Sequence, residues 1–438
     1  MKKNNRSFAI DTFVVGFAIF AVFFGAGNLI FPPSIGLLSG SKWGMGILGL
    51  TLTGVFLPVL SVIAIGNMGG DLKMITVKIA PWFYDAFWGV AMIIAIGVTM
   101  PRTCAVAYAS GFCNIYQGAD KITLYCFTAL YFGLSYFFAK EKSTIIDKVG
   151  KILTPILLLV LFVIVCLTFI TPIAAPREPQ VEKVFTNAFL TGYQTGDIVT
   201  GLLCGSFFIA AMKQKGYSEG SGMFKICCSS VAVAFAGLFI VYGGLLVLGA
   251  QGSSIFGKDM DSPTLLISLV DKLLGAKGSA FLSIAVILAC QTTTVGMFGT
   301  LADVISGWTK GRIPFKRIIA ALSVVCGLGA LGGVARIAFI AGPLFMLIYP
   351  ATITMTLLSL AKNFVPNDGA WKGAIFMAVI IGAYDSYAIM KAMGLISFSF
   401  TALDNLYAAI PLSGYGFAWV VPTIIGFCIG GLIFKKRA

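Results

Sequence analysis

The sequence predicts an all-α membrane protein of twelve transmembrane helices, with the first and the sixth interrupted. Three observations carry that expectation. The composition is 58% hydrophobic against 11% charged, with a mean hydropathy of +0.95, far above what a water-soluble core requires. The apolar residues form continuous runs close to the roughly 20 residues of a spanning helix, not the alternating ten-residue segments of a membrane β-barrel. Lys and Arg gather in every second connection between the runs, as cytoplasmic loops require.

The runs lie near residues 11–38, 43–67, 83–112, 122–138, 149–171, 188–212, 224–249, 279–305, 315–331, 337–360, 371–393 and 414–434. With a cytoplasmic N-terminus, twenty-one of the 31 Lys and Arg fall inside, nine fall outside, and Arg102 lies within a run. Both termini are then cytoplasmic, in a multi-pass protein of the cell membrane. The formal charge of +14 follows largely from topology, so no nucleic-acid partner is implied. The basic start (Lys2, Lys3, Arg6) leads into a run too long for a cleaved signal peptide. The longest connection, 250–277, contains an amphipathic piece, Pro263 to Leu274, suited to the membrane surface.

The first run is broken in its middle by Phe24-Gly25-Ala26-Gly27-Asn28 and closes on Pro32-Pro33. Glycine and proline are the poorest helix formers, and lipid tolerates open backbone only where protein or a water-filled cavity covers it. A half-helix starting near Asn28 would present the amides of Ala26 and Gly27 to an anionic group such as a carboxylate. The freed carbonyls of Ala21 to Phe24 would suit a cation. The residues therefore point to a small zwitterion and a coupling cation near mid-membrane. The plainer alternative makes the glycines a helix-packing notch.

The sixth run carries Gly192-Tyr193-Gln194-Thr195-Gly196-Asp197, again polar and glycine-bearing inside an apolar span. Paired interruptions in two halves of a chain point to a transporter site, and an odd number of spans per half makes the repeats inverted. Asp197 must face a cavity or a partner, because a carboxylate in hydrocarbon is costly; otherwise it lies near the outer surface. The eighth run offers Ala289 with Thr292 and Thr293 on one helix face, oxygen ligands for a hard cation. Those threonines could instead bond back to their own helix.

Other functions are disfavoured. With no histidine, a His proton relay or His-ligated metal is excluded. Clustered carboxylates for a membrane enzyme are lacking, and no Walker motif implies ATP use. The ten cysteines sit mostly in apolar runs without metal-ligand spacing, so no cofactor is expected beyond Na+ or H+ as coupling ion. A channel would need a continuous filter of carbonyls or charges.

Phe24-Gly25-Ala26-Gly27-Asn28-Leu29-Ile30-Phe31-Pro32-Pro33 closely resembles the signature of the branched-chain amino acid:cation symporters, the BrnQ-type (LIVCS) carriers. The resemblance continues at Pro101-Arg102-Thr103, at Gly192-Tyr193 with Thr195 and Asp197, and at Thr292-Thr293, and it covers essentially the whole chain. It implies a LeuT-like five-plus-five inverted repeat, with discontinuous helices one and six and two extra C-terminal helices. One domain, 1–438, would comprise a first repeat over about 8–171, a second over about 186–360 and the extra helices over about 371–434. It also implies import of leucine, isoleucine or valine with sodium or a proton; another small neutral amino acid is the alternative substrate. By that pattern Gly25, Ala26, Gly27 and Asn28 meet Tyr193, Gln194, Thr195 and Gly196 around the substrate. Amides of Ala26 and Gly27 take the carboxylate, and carbonyls from Gln194 to Gly196 take the ammonium. Sodium lies among Ala21, Phe24, Ala289, Thr292 and Thr293. Two departures stand out: family members carry a bulky apolar residue at Gly196, and an acid where this chain has Ala109-Ser110.

The remaining charges are assigned to coupling or gating. Arg102 is expected to pair with Asp197 or Asp385, because an unpaired guanidinium at depth is expensive. Asp197 is a proton-coupling alternative to the threonine cage. Arg6 with Asp303 forms either an inner gate or a solvated surface pair.

Overall fold

The computed structural model describes residues 5–116, 118–140, 144–217, 220–398 and 400–433, without the side chains of residues 5–7, 26, 144–156 and 221. Among the described residues there is no strand. The first run folds as α1 (Asn5–Phe23) and α2 (Ala26–Ser39), parted at Phe24–Gly25. Gly40, at φ +49, turns the chain into α3 (Trp43–Leu50), which continues through a π turn (Thr51–Phe56) into α4 (Leu57–Asn67). After the short α5 (Lys73–Thr76), a third rod joins α6 (Phe83–Ile94), α7 (Met100–Val106) and α8 (Cys113–Ile115) through π turns at Ala95–Thr99 and Ala107–Phe112. Next come α9 (Lys121–Ala139), begun by a capping box between Asp120 and Thr123, and α10 (Thr144–Ile170).

The sixth run is α11 (Val184–Tyr193) and α12 (Asp197–Gln214), bent by 44° at their break. Then follow α13 (Ser221–Gly252), α14 (Ser262–Trp308), α15 (Phe315–Ala330), α16 (Gly333–Leu360), α17 (Asp368–Ala392), α18 (Thr401–Ala408) and α19 (Val420–Ile433). Against an expectation of twelve spans, seven helices of the described residues are by themselves long and apolar enough to cross a bilayer, and eight if α11 and α12 count as one. Interruption shortens others, as the break at Phe24–Gly25 does for α1, whose apolar stretch Phe8–Phe23 falls below that length. The amphipathic piece from Pro263 to Leu274 is the first part of α14, set off by Gly275 at φ +72. It buries Leu265, Leu266, Leu269 and Val270, and Ser110 Oγ donates to the Pro263 carbonyl at 3.2 Å.

Close backbone crossings hold the broken helices in place. α13 lies against both α1 and α2. A Cβ on Gly36 would stand 1.9 Å from the Leu246 carbonyl oxygen, and one on Gly249 2.0 Å from that of Pro33, so only glycine permits this approach. α11 lies against α3 and α12 against α4. Thr53, in the π turn, donates to the Phe189 carbonyl at 2.8 Å, and a Cβ on Gly192 would meet Thr53 Oγ1 at 2.1 Å. Both interruptions are thereby enclosed by intact rods, the condition for open backbone at membrane depth.

Candidate functional site

Helix α1 ends because Gly25 adopts an extended conformation (φ −104, ψ −179), and its amide turns back to the Phe23 carbonyl at 3.1 Å. Helix α2 therefore begins at Ala26, two residues before the expected Asn28. Its first turn presents the Ala26 and Gly27 amides without partners in their own helix. A Cβ on Gly25 would meet nothing within 4 Å, so the break borders open space. Asn28 lies inside that turn and reaches back: its Nδ2 donates to the Phe23 carbonyl and to Asp197 Oδ2, the latter at 2.8 Å. Tyr242 also donates to the Phe23 carbonyl, at 3.3 Å.

The second interruption is a turn at Gln194, Thr195 and Gly196. Gly196 stands at φ +78, a left-handed conformation that favours glycine. A Cβ there would approach the Phe345 ring at 3.3 Å. Gly196 is thus a left-handed turn residue facing an aromatic ring. Asp197 opens α12 and is 4% exposed, which places it in the interior and not at the outer surface. Thr195 is buried, its hydroxyl donating to the Gly192 carbonyl at 2.9 Å. Tyr193 is buried and stacks on Tyr349, ring centroids 4.3 Å apart.

Arg102 joins the two interruptions. It lies in α7 between two π turns, a local widening frequent at functional sites, and is 2% exposed. Its Nη1 donates to the Gln194 carbonyl at 2.7 Å, and its guanidinium lies 5.3 Å from the centre of the Phe31 ring. The expected direct pairing with a carboxylate is replaced by this carbonyl contact. Asp197 attracts the guanidinium electrostatically, while its own hydrogen bond goes to Asn28. Asp385 is held by the Tyr407 hydroxyl. Gly27 makes room for the guanidinium: a Cβ there would stand 2.9 Å from Arg102 Nη2. Two buried oxygens beside these groups, Asn28 Oδ1 and Gln194 Oε1, have no protein partner.

The residues expected around the cation lie on two elements, Ala21 and Phe24 in and just after α1, and Ala289, Thr292 and Thr293 on α14. Thr292 and Thr293 both donate to the Ala289 carbonyl of their own helix, at 2.9 and 3.0 Å. Ala21 lies on an exposed face of α1 and Phe24 is buried. Helix α1 packs on α12 and α13, while α14 packs on α2. Of the three neighbouring threonines, it is Thr294 that makes a side-chain contact with the third rod. Its hydroxyl meets Thr103 at 2.7 Å and Tyr131 at 2.8 Å, fastening the neighbour of Arg102 to α14 and α9. Thr294 directly follows Thr292 and Thr293 in the sequence, and which of the three faces the third rod depends on helix packing. Asp303 is exposed near the end of α14, and the Arg6 side chain lies outside the described residues. The carboxylate held near the start of α1 is Asp11, which accepts from Lys215 at 2.8 Å and from Tyr217 at 2.9 Å. Burial, then the Asp11 carboxylate, push the Tyr217 phenol up to about 12, so it stays a donor at neutral pH.

Two facing helix breaks, enclosed by intact rods and bridged by buried charged groups, define a multi-pass helical membrane protein of the LeuT fold. The structure of MhsT in complex with L-phenylalanine superimposes with a TM-score of 0.55 at 16% identity, covering 94% of this chain and 97% of that one. Mhp1, a nucleobase-cation-symport-1 family transporter, gives 0.51 at 13% identity, with 93% and 96% covered. The family model described as "Branched-chain amino acid transport protein" matches residues 8–437, and the chain belongs to that family, one of transporters and not of enzymes. The branched-chain amino acid permease BraB of Bacillus subtilis is 32% identical over 96% of this chain and 94% of its own length. The branched-chain amino acid transport system 2 carrier protein of Pseudomonas aeruginosa is 29% identical over 96% and 95%.

Proposed function

We propose that this protein imports leucine, isoleucine or valine across the cell membrane together with a cation, by alternating access. The observation that carries the reading is the meeting of the two interruptions, where Asn28 holds Asp197 and Arg102 holds the Gln194 carbonyl. Helix starts and open carbonyls at one point serve the two ends of a zwitterion. In this reading the amides of Ala26 and Gly27 take the carboxylate, and the turn from Gln194 to Gly196 takes the ammonium. Twelve spans in a five-plus-five inverted repeat, with two further C-terminal helices and both termini cytoplasmic, complete it.

Sodium is the coupling ion in this reading, held by carbonyls of Ala21, Phe24 and Ala289 with the hydroxyls of Thr292 and Thr293, once α1 closes toward α14. A second reading couples a proton at Asp197. It is favoured by the burial of that carboxylate at the junction and by the return of both threonine hydroxyls to their own helix. Labelled leucine uptake into proteoliposomes, with sodium and pH gradients imposed separately, tests both. Uptake driven by sodium alone supports the cage, and uptake driven only by protons moves coupling to Asp197. No branched-chain uptake under either gradient would overturn the substrate assignment.

A further inference from the structure

We propose that Arg102 is the receptor for the substrate carboxylate, and that its move from the Gln194 carbonyl to that carboxylate frees the carbonyl for the ammonium group. This rests on the amino-acid reading above and assigns a role that the amides of α2 alone do not fill.

The guanidinium is where such a receptor must be. Its Nη2 lies against Gly27, 2.9 Å from the position a Cβ would occupy, beside the first amides of α2. A guanidinium has five donors in a planar fork that matches a carboxylate, and the buried carboxylate of Asp197 takes its hydrogen bond from Asn28. The Phe31 ring, 5.3 Å away, offers the cation a face without taking up its donors. Backbone amides and a buried cation thus converge on one point, whereas either alone would bind an anion less firmly.

The contact with Gln194 supplies the second half. Nη1 holds that carbonyl at 2.7 Å, and like charges exclude an ammonium from the same oxygen. A ligand with an ammonium but no carboxylate must compete with a tethered cation. A ligand with a carboxylate but no ammonium leaves the released carbonyl without a donor, a costly state at depth. A zwitterion satisfies both groups at once. The side chain is therefore a selector for free α-amino acids over their amines, amides and alcohols.

The test is a cycle of two ligands against three proteins, read by isothermal titration calorimetry on purified protein: leucine and leucinol with wild type, Arg102→Gln and Arg102→Lys. Leucine should bind wild type more tightly than leucinol. Arg102→Gln should weaken leucine by about 10- to 150-fold, the loss expected of hydrogen bonds to a charged group, with leucinol changed by less than about threefold. Arg102→Lys, which keeps the charge but not the fork, should fall between. Equal weakening of both ligands, or unchanged leucine affinity, would overturn the proposal while the amino-acid reading stands. If Arg102→Gln does not yield folded protein, the Arg102→Lys comparison decides by the same criterion. Wild type that binds none of the three branched-chain amino acids would overturn the reading and the proposal together.

Discussion

Glycine does two different jobs at this site. At Gly27 it is absence of volume that matters, since any side chain would press on Arg102 and Phe31. Gly27→Val should abolish leucine binding while the protein remains monodisperse; a normal binding isotherm would remove Gly27 and Arg102 from the site. At Gly196 it is backbone conformation that matters. Gly196→Ala must hold a left-handed residue, so stability should drop by about 1–2 kcal/mol, read as a lower melting temperature in detergent. Thr292→Ala probes the cage directly and should raise the sodium concentration for half-maximal uptake. An unchanged sodium dependence would confine that hydroxyl to the backbone bond with Ala289 that it already makes.

Helices carry these residues, and their mutual contacts decide what can move. The start of α1 is tied to the end of α12 through Asp11, Lys215 and Tyr217. Asp11→Asn removes the ion pair, and opening of α1 should become easier by about 1 kcal/mol, seen as roughly fivefold faster hydrogen exchange over its N-terminal half. Helices α17 and α19 cross through Gly369, Gly373, Gly426 and Gly430, a small-xxx-small pattern on both partners. A Cβ on Gly373 would stand 2.0 Å from the Gly426 carbonyl oxygen, so Gly373→Leu must force the pair apart and lower the melting temperature. Both helix breaks were legible from glycine and polar residues inside apolar runs. The second half-helix starts at Ala26, within two residues of the expected neighbourhood of Asn28, and what the sequence does not reveal is that Gly25 takes the extended conformation and Asn28 turns its side chain backward.

At the scale of the molecule, alternating access makes one observable demand. A carrier preloaded with unlabelled leucine should take up labelled leucine faster, because the loaded protein returns more readily than the empty one. Absence of this trans-stimulation in proteoliposomes would favour a channel-like path. The demand rests on a site closed from both sides in turn; α7, α11, α13 and α14 all lie against α2, the half-helix that borders the proposed site.

The sequence by itself determined the membrane class, the two interrupted runs and the family signature. Those depend on local composition: where hydrocarbon begins, where a helix cannot continue, and which short motif occupies the break. Only the tertiary structure decided that Arg102 donates to the Gln194 carbonyl, 92 positions away, and that Asn28 holds Asp197, 169 positions away. It also decided that Thr294, rather than Thr292 or Thr293, joins α14 to the third rod. A charge in hydrocarbon must find some partner, and the sequence states that demand, but the partner is whichever donor or acceptor helix packing brings within 3 Å.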